Sequence, residues 1–554
     1  ASGLRSFTFM KHVGMNVASD SFMTTAYSGV NGGMVILSAD DPSLFSSQNE
    51  QDTRNYGRLA NVPILEPSNC QEVKDMVKYA FDLSEQFKLP VIVRTTTRVS
   101  HMRGVVEFGE TADNSSDGET HWKKGFFKKN PAQFVPVPAF AKDMHVELVE
   151  KMDEINKITN DSDFNVESDF SQNKKYCVIA SSSAYNYAYD VIRYNNLDID
   201  VLKLGFSYPF PYDKVADFVK DYDEVFIVEE VDPIIEKDTL VAIGKNNLNT
   251  VVHGKLDGTF PVYHEFNSDI VADGFNKYLN FIEEDNNDYS DTLLKLQEEI
   301  PSRAPVLCAG CPHRAMYYGV NKSLEELGIP LKDAVFASDI GCYTLGINPP
   351  YNAADYLLSM GSSVGDGCGF SIATDQKVIS FIGDSTFFHS GISPLINAVH
   401  NKNNFILTVL DNRITAMTGG QPNPGIPVDG MGDDAPEISI RKLALACGCN
   451  YVRVINPLNL DQVIKTYKEA LERDEVCVII AKAPCTLIKG KTRKPPVNYI
   501  DSNCNGCNKC VSELACPAIS KDSGKITIDK SMCDGCGVCI QVCKYGALEA
   551  GRGE

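Results

Sequence analysis

Apolar positions recur along this chain in two rhythms. Val73, Met76, Val77, Ala80 and Phe81 fall at the three-and-four spacing of one helix face, which predicts a helix from Cys70 to Phe87. Ser68 and Gln71 make a capping box at its start. Short continuous apolar runs flank it, Met34 to Leu37 on one side and Val91 to Arg94 after Pro90 on the other. Runs of that length bounded by Gly and Pro read as strands buried on both faces. The first 110 or so residues therefore predict alternating strands and helices.

From Gly109 to about Gln172 the pattern turns polar, which predicts an excursion and a connector. The α/β rhythm resumes with a strand at Tyr176 to Ala180, a helix at Ala184 to Tyr194, and strands at Val201 to Leu204 and Val225 to Val228. The last two are separated by a Pro209/Pro211 turn, and an acidic linker from Glu283 to Asp291 closes the segment. A third α/β stretch carries a strand from Val378 to Ile382, a helix from Ser390 to Asn401 and a strand from Phe405 to Leu410. Pro495-Pro496 then separates it from a cysteine-rich tail. The expected division is 1–170, 171–300, 301–495 and 496–554, without internal repeats.

Composition narrows what such a chain can do. With 554 residues it exceeds one hydrophobic core, so several domains are expected. A net charge of −21 leaves no concentrated basic face for nucleic acid. Neither a membrane-length apolar run nor a signal-peptide pattern is present, which predicts a soluble cytoplasmic protein. Of 18 cysteines, eight crowd into the tail and the rest lie scattered, a distribution suited to a reducing compartment.

The tail holds Cys504, Cys507, Cys510 and Cys516-Pro517, then Cys533, Cys536, Cys539 and Cys543. Three thiolates at two-residue spacing wrap one face of a four-iron cubane, and the remote fourth cysteine reaches the other cluster. This assigns Cys504, Cys507, Cys510 and Cys543 to one [4Fe-4S] cluster and Cys533, Cys536, Cys539 and Cys516 to a second. Zinc ribbons or disulfides are the competing readings, and the duplicated triple spacing argues against both. The tail resembles a bacterial two-cluster ferredoxin domain, with two departures. Five residues instead of three precede Cys516, and Lys544 stands where a proline is usual.

A second constellation begins where the strand Val378 to Ile382 runs into Gly383-Asp384-Ser385-Thr386. A right-handed crossover brings that strand end beside the end of the next strand, so that Asp384 and Asn412 face one another. Their oxygens and a backbone carbonyl suit Mg2+, which keeps phosphate oxygens among its ligands. Gly383 and Gly391 permit close backbone approach, and amides at the following helix start can meet a diphosphate. The arrangement resembles the thiamine-diphosphate motif, with Ser385 in place of its second glycine. The resemblance gives Asp384 and Asn412 the metal-ligand roles and Ile414 a carbonyl ligand.

Thiamine diphosphate beside a two-cluster tail resembles the 2-oxoacid:ferredoxin oxidoreductases. Within them, four strings look like the large subunit of the indolepyruvate enzymes: Met10 to Gly14, Ser46 to Asp52, Arg94 to Arg98, and Cys308-Ala309-Gly310-Cys311-Pro312-His313. The resemblance implies doubly wound α/β domains of the thiamine-enzyme type, pyrimidine-binding at 1–170, transketolase C-terminal-like at 171–300 and diphosphate-binding at 301–495, followed by the ferredoxin-like domain. It implies oxidative decarboxylation of an aryl 2-oxoacid to an acyl-coenzyme A, with electrons passing to ferredoxin, and a smaller β subunit in an α2β2 assembly. Another oxoacid specificity, or an electron-transfer subunit with an incomplete thiamine site, are the alternatives.

Cys308, Cys311, His313, Asp339, Gly341, Cys342, Gly361, Ser362 and Ser363 are expected around the cofactor, with packed-turn and strand-end roles the competing readings. His12, His313 and Met417 are candidates for the substrate pocket. Met417 stands where pyruvate-specific relatives place asparagine, and an adaptable apolar side chain there suits an aryl substrate. The family's activating glutamate sits in a Tyr-Pro-Gly-Thr-Pro-Ser-Ser-Glu segment absent from these residues. The expectation is that the chain is N-terminally incomplete or that another polypeptide supplies it.

Overall fold

The computed structural model describes residues 1–109, 125–281, 290–300, 305–488, 490, 492–522 and 524–551. They form two compact units, Ala1–Tyr289 and Ser290–Glu554, whose boundary falls inside the expected acidic linker. Most of that linker lies outside the described residues.

The first unit contains β1 (Ser6–Lys11), β2 (Met34–Ala39), β3 (Ile64–Leu65), β4 (Val91–Thr95), β5 (Val166–Ser168), β6 (Tyr176–Ser181), β7 (Ile199–Leu204), β8 (Phe206–Tyr208), β9 (Glu224–Val228) and β10 (Val251–His253). Two five-stranded sheets result, ordered β1-β2-β4-β3-β8 and β10-β9-β6-β7-β5. Both are parallel apart from the edge strands β8 and β5. Every residue of β4 and β6 is buried, which accounts for their unbroken apolar runs.

Helix α1 (Cys70–Phe87) buries Met76, Ala80, Leu83, Ser84 and Phe87. Its cap differs from the expected one. The Asn69 side chain accepts from the Glu72 amide at 3.0 Å, while the Glu72 carboxylate accepts from the Ser68 amide and hydroxyl, each at 2.8 Å. Asn and Ser both cap well, and the one that adopts extended backbone beside the first helical residue does so here. The expected connector is also corrected in part. Residues 110–124 lie outside the described set, but beyond them α2 (Pro138–Asn160) turns Met144, Leu148, Met152 and Ile155 inward. A four-residue inward stripe among many charges is a helix with one narrow apolar face.

The carboxyl ends of the parallel strands in both sheets meet in a buried ionic network. Arg54 pairs with Asp52 at 2.6 Å and Glu229 at 2.7 Å, and donates to the carbonyls of Glu230 and Asp232 at 2.9 and 3.0 Å. Arg94 pairs with Asp40 at 2.6 Å and Glu66 at 2.9 Å. All six of these ionised side chains are 2% exposed or less. Burial pushes the Asp40 and Glu229 carboxyls up, whereas Asp52 is pulled down to about 2 by Arg54 and Arg94, against the opposing effect of its burial. Ser183 and the Phe266 amide satisfy the neighbouring Glu230 at 2.6 and 2.9 Å. Removing one partner from such a set strands the others without solvent.

The second unit is built on a five-stranded all-parallel sheet: β11 (Ala334–Ala337), β12 (Lys377–Gly383), β13 (Ile406–Asp411), β14 (Tyr451–Ile455) and β15 (Cys477–Lys482), ordered β11-β12-β13-β15-β14. Helix α3 (Pro312–Glu326) is buried along most of its length. The tail adds two antiparallel pairs, Asn498–Tyr499 with Leu548–Glu549 and Ile519–Asp522 with Lys525–Ile528. The Pro495-Pro496 step does not set the tail apart. Val497, Leu514, Ile519, Val538 and Leu548 share one core with Leu307, Ala315, Tyr317 and Phe381. A tail too small for a core of its own gains one by this sharing.

Substituting Arg54→Met leaves Glu229 buried without a cation and Asp52 with Arg94 alone at 3.6 Å, and should cost about 3–5 kcal/mol. The urea midpoint of the first unit's unfolding transition measures it.

Candidate functional site

In the second unit β12 and β13 pair in parallel with Gly383 opposite Leu410. That register sets the next residues, Asp384 on one side and Asp411-Asn412 on the other, at the same edge of the sheet. The chain leaves β12 directly into helix Asp384–Thr386, a π-helical turn at Phe387–Gly391 and α5 (Ile392–His400). Ser385 has ordinary negative φ, so a side chain is tolerated where the related motif has glycine.

Around this edge lies a cavity of about 530 Å³. Its walls include His313, Gly341, Cys342, Gly383, Asp384, Ser385, Thr386, Asn412, Ile414 and Met417, ten of the residues singled out from the sequence. Asp384 is 3% exposed and accepts backbone amides from Ser385 at 2.8 Å and Arg413 at 2.9 Å. Burial, and then the neighbouring Asp411, push its carboxyl up to about 6. Asp411 is raised too, chiefly by burial. Two buried acids side by side, Asp411 with the half-exposed Lys482 at 3.9 Å, are a site that a divalent ion would relieve. Asp384, the Asn412 amide oxygen and the Ile414 carbonyl are of the oxygen type that Mg2+ takes, so the residues fit the ion. Around Asp384, among the described residues, no trio of His, Cys, Asp or Glu side chains is arranged to hold a metal ion, so amide and carbonyl oxygens have to complete this set.

His313, on the first turn of α3, is 3% exposed, and burial lowers it to about 4, which keeps the ring neutral near pH 7. Its Nε2 stands 3.4 Å from the Asn412 side-chain nitrogen, and its ring meets Tyr343 edge-on. Asp339 follows β11 and stands behind the cavity. One of its oxygens accepts from the Gly361 and Ile340 amides at 2.6 and 2.9 Å, while the other is buried without a partner. Burial raises this carboxyl to about 7. Gly361 has φ of +91°, and a Cβ there would lie 2.0 Å from the Ser390 hydroxyl. The start of α4 (Ser362–Ala373) is thereby held against the helix that leaves Asp384. Gly361, Ser362 and Ser363 support the cavity from behind and do not line it. The turn Thr415 to Gln421 closes on itself through Thr415–Gln421 and Gly420–Thr415 backbone bonds of 3.0 Å, and it carries Met417, 53% exposed, at the cavity wall.

The eight tail cysteines sort into two further cavities. Cys504, Cys507, Cys510 and Cys543 line one of about 390 Å³. Cys516, Cys533, Cys536 and Cys539 line another of about 460 Å³, together with Ala309, Gly310, Cys311 and Arg314. The partition is the one expected from the spacing, and four thiols on the walls of each cavity fit a cubane. Cys311 thus faces the tail, while His313, two residues on, faces the Asp384 cavity. Burial raises the Cys311 thiol to about 12.

Some residues of this region escaped sequence reading. Cys485 follows β15 at the same sheet edge, its amide bonded to the Asn412 carbonyl at 2.9 Å. The Cys342 thiol is raised by burial and then by Cys485 and Cys308, so three cysteines far apart in sequence gather beside the site. Position at the carboxyl end of a predicted parallel strand was the available signal for Asp411, whereas the strand before Cys485 was not predicted.

His12 belongs to the first unit. It is fully buried at the start of helix His12–Ser28, with neither ring nitrogen hydrogen-bonded. The strings at Met10–Gly14, Ser46–Asp52 and Arg94–Arg98 converge there. Asp41 accepts from Lys11 Nζ at 3.1 Å, the Ser46 amide at 2.9 Å, the Ser47 hydroxyl at 2.7 Å and the Thr97 hydroxyl at 3.0 Å. Those bonds hold its carboxyl below the usual range, although burial opposes them.

Comparisons with known proteins agree with this geometry. Residues 339–481 match the C-terminal binding domain of thiamine pyrophosphate enzymes, and residues 526–549 match a 4Fe-4S binding domain. The indolepyruvate oxidoreductase subunit IorA of Methanothermobacter marburgensis is 53% identical, over 99% of this chain and 87% of its own length. That of Pyrococcus horikoshii is 40% identical, over 100% of this chain and 87% of its own length. A solved 2-oxoglutarate:ferredoxin oxidoreductase from Magnetococcus marinus is 21% identical over 34% of this chain and 67% of its own, with a TM-score of 0.31, too slight a likeness to bear on the fold. The sheets, the two domain matches and the near-complete span of the relatives place this chain in the family of indolepyruvate oxidoreductase IorA subunits, thiamine-dependent 2-oxoacid:ferredoxin oxidoreductases.

Proposed function

We propose that the chain oxidatively decarboxylates aryl 2-oxoacids, indolepyruvate first among them, to acyl-coenzyme A and carbon dioxide. Electrons leave through two [4Fe-4S] clusters to ferredoxin, and a smaller β subunit completes an α2β2 assembly. The observation that carries the reading is the placing of His313 and Cys311 on opposite walls of one turn, between the Asp384 cavity and a four-cysteine cavity. A reaction that produces electrons and a carrier that removes them thus share a wall. The relatives' own names supply indolepyruvate as the first substrate to test.

Bound thiamine diphosphate supplies a carbon nucleophile for the oxoacid ketone and an electron sink when carbon dioxide leaves. This chain's share is to hold and shape. Asp384, Asn412 and the Ile414 carbonyl would hold Mg2+, and the amides opening the Asp384 helix would meet the diphosphate. Neutral His313 offers hydrogen bonding beside Asn412 without adding positive charge there. Met417, on its tight turn, offers a polarizable apolar wall to a flat ring. Among the described residues the walls of the same cavity carry no basic side chain other than neutral His313, which suits a substrate whose recognition is largely apolar.

Asp384→Asn should weaken retention of thiamine diphosphate with Mg2+ by on the order of 100-fold. Titration calorimetry on the anaerobic protein reads this, with an unchanged iron content showing that the tail still folds. Met417→Asn should lower the ratio of kcat/KM for indolepyruvate to that for pyruvate roughly tenfold. The assay is anaerobic, coenzyme A-dependent dye reduction by the assembled α and β subunits. An unchanged ratio removes Met417 from substrate selection, and no turnover with any aryl oxoacid removes the proposed specificity altogether.

A further inference from the structure

Arg314 is a buried cation that, among the described residues, donates to no carboxylate, although Asp534 lines the same cavity. The residue is 4% exposed, on the first turn of α3, and lines the cavity of Cys516, Cys533, Cys536 and Cys539. Its guanidinium donates to the Tyr351 hydroxyl at 2.8 Å, the Leu514 carbonyl at 3.2 Å and the Cys308 carbonyl at 3.4 Å, with further short bonds to the Leu307 and Ala515 carbonyls. Among the described residues every one of these acceptors is a neutral oxygen. Carbonyl dipoles orient the group but do not neutralise it. An uncompensated buried charge is costly unless an opposite charge lies nearby.

The five-residue loop before Cys516 explains how the cation comes to be there. Leu514 is 2% exposed in the core shared with the thiamine domain, and its carbonyl and that of Ala515 are the ones Arg314 grips. Opposite, Gly310 has φ of +72°, and a Cβ would lie 2.6 Å from that of Asp534, so the two backbones approach as closely as glycine allows. The other four-cysteine cavity is walled by tail residues alone, with Cys507 exposed. The two cavities therefore differ in burial, and each has a basic side chain on its wall, buried Arg314 beside Asp534 in one and exposed Lys509 in the other.

We propose that Arg314 sets the reduction potential of the cluster bound by Cys516, Cys533, Cys536 and Cys539, holding it above the value it would have without the cation. This rests on the two-cluster reading of the tail. A cubane with four thiolates is anionic and gains one further negative charge with each electron it accepts, so a fixed cation in a low-dielectric wall favours the reduced form. The electrons come one at a time from oxoacid oxidation and pass on to ferredoxin. Arg314 exchanges no proton and forms no bond to iron. It is a positioning and charge-setting residue.

The test is an EPR-monitored potentiometric titration of the anaerobic full-length chain with its β subunit. Arg314→Gln should shift the reduction equilibrium of one cluster at least tenfold toward the oxidised form, about 59 mV downward for one electron, and leave the other cluster fixed. Arg314→Lys should keep the native midpoint. Asp534→Asn, at the same wall, should move the same midpoint upward. Equal shifts in the Gln and Lys variants, shifts in both clusters, or no shift would overturn the proposal. If Arg314→Gln retains no iron, Arg314→Met is measured in its place, with the same downward shift expected, and an unmoved midpoint there overturns it. An iron content near four per chain, against about eight for two cubanes, sinks the two-cluster reading separately.

Discussion

The site depends on one register. Pairing β12 with β13 so that Gly383 lies opposite Leu410 brings Asp384, Asp411 and Asn412 to one sheet edge. A slip by one residue would turn every side chain of β13 to the other face and take the apolar contacts of Leu407 and Val409 with it. Burial on both faces thus fixes the strand, and the strand fixes the acids. Their raised carboxyls are the cost of this placement, offset when a cation is bound.

A second constraint joins chemistry to electron exit. The turn from Cys308 to Arg314 serves both cavities because successive residues at a helix start point in different directions. His313 is directed to Asn412, Cys311 and Arg314 to the tail. A tail on a free linker would hold its clusters at a varying distance from the oxidised carbon. Sharing a core with Leu307, Ala315 and Tyr317 makes that distance a property of the fold. The extra residues before Cys516, which look like an imperfection in a ferredoxin repeat, supply Leu514 to this core and two carbonyls to Arg314.

What could be read from sequence was whatever depends on spacing within a few residues. Cys70 to Phe87 is legible because its stripe repeats, and the cysteine partition because a cubane demands its ligands at short intervals. The Asp384–Asn412 pair is legible because a crossover of known hand joins adjacent strands. Long-range charge is not. Nothing local to Arg54 announces Glu229, 175 residues away, and nothing near Cys342 announces Cys485. The cap at Asn69 shows the same limit in small: Ser68 and Asn69 are both good caps, and backbone geometry chooses between them.

The resemblance strings illustrate what such motifs mean physically. Met10–Gly14, Ser46–Asp52 and Arg94–Arg98 share no spacing or chemistry in sequence, yet they close on Asp40 and Asp41 at the carboxyl end of the first unit's sheet. At such an edge the backbone has run out of ladder partners, and side chains must satisfy whatever is buried. Every carboxylate there commits several neighbours, so no one of them can change alone. Buried polar closure, more than the apolar core, therefore makes these strings particular to the fold, since an apolar core accepts many residues of similar size and the Asp41 cluster accepts only donors placed to reach it.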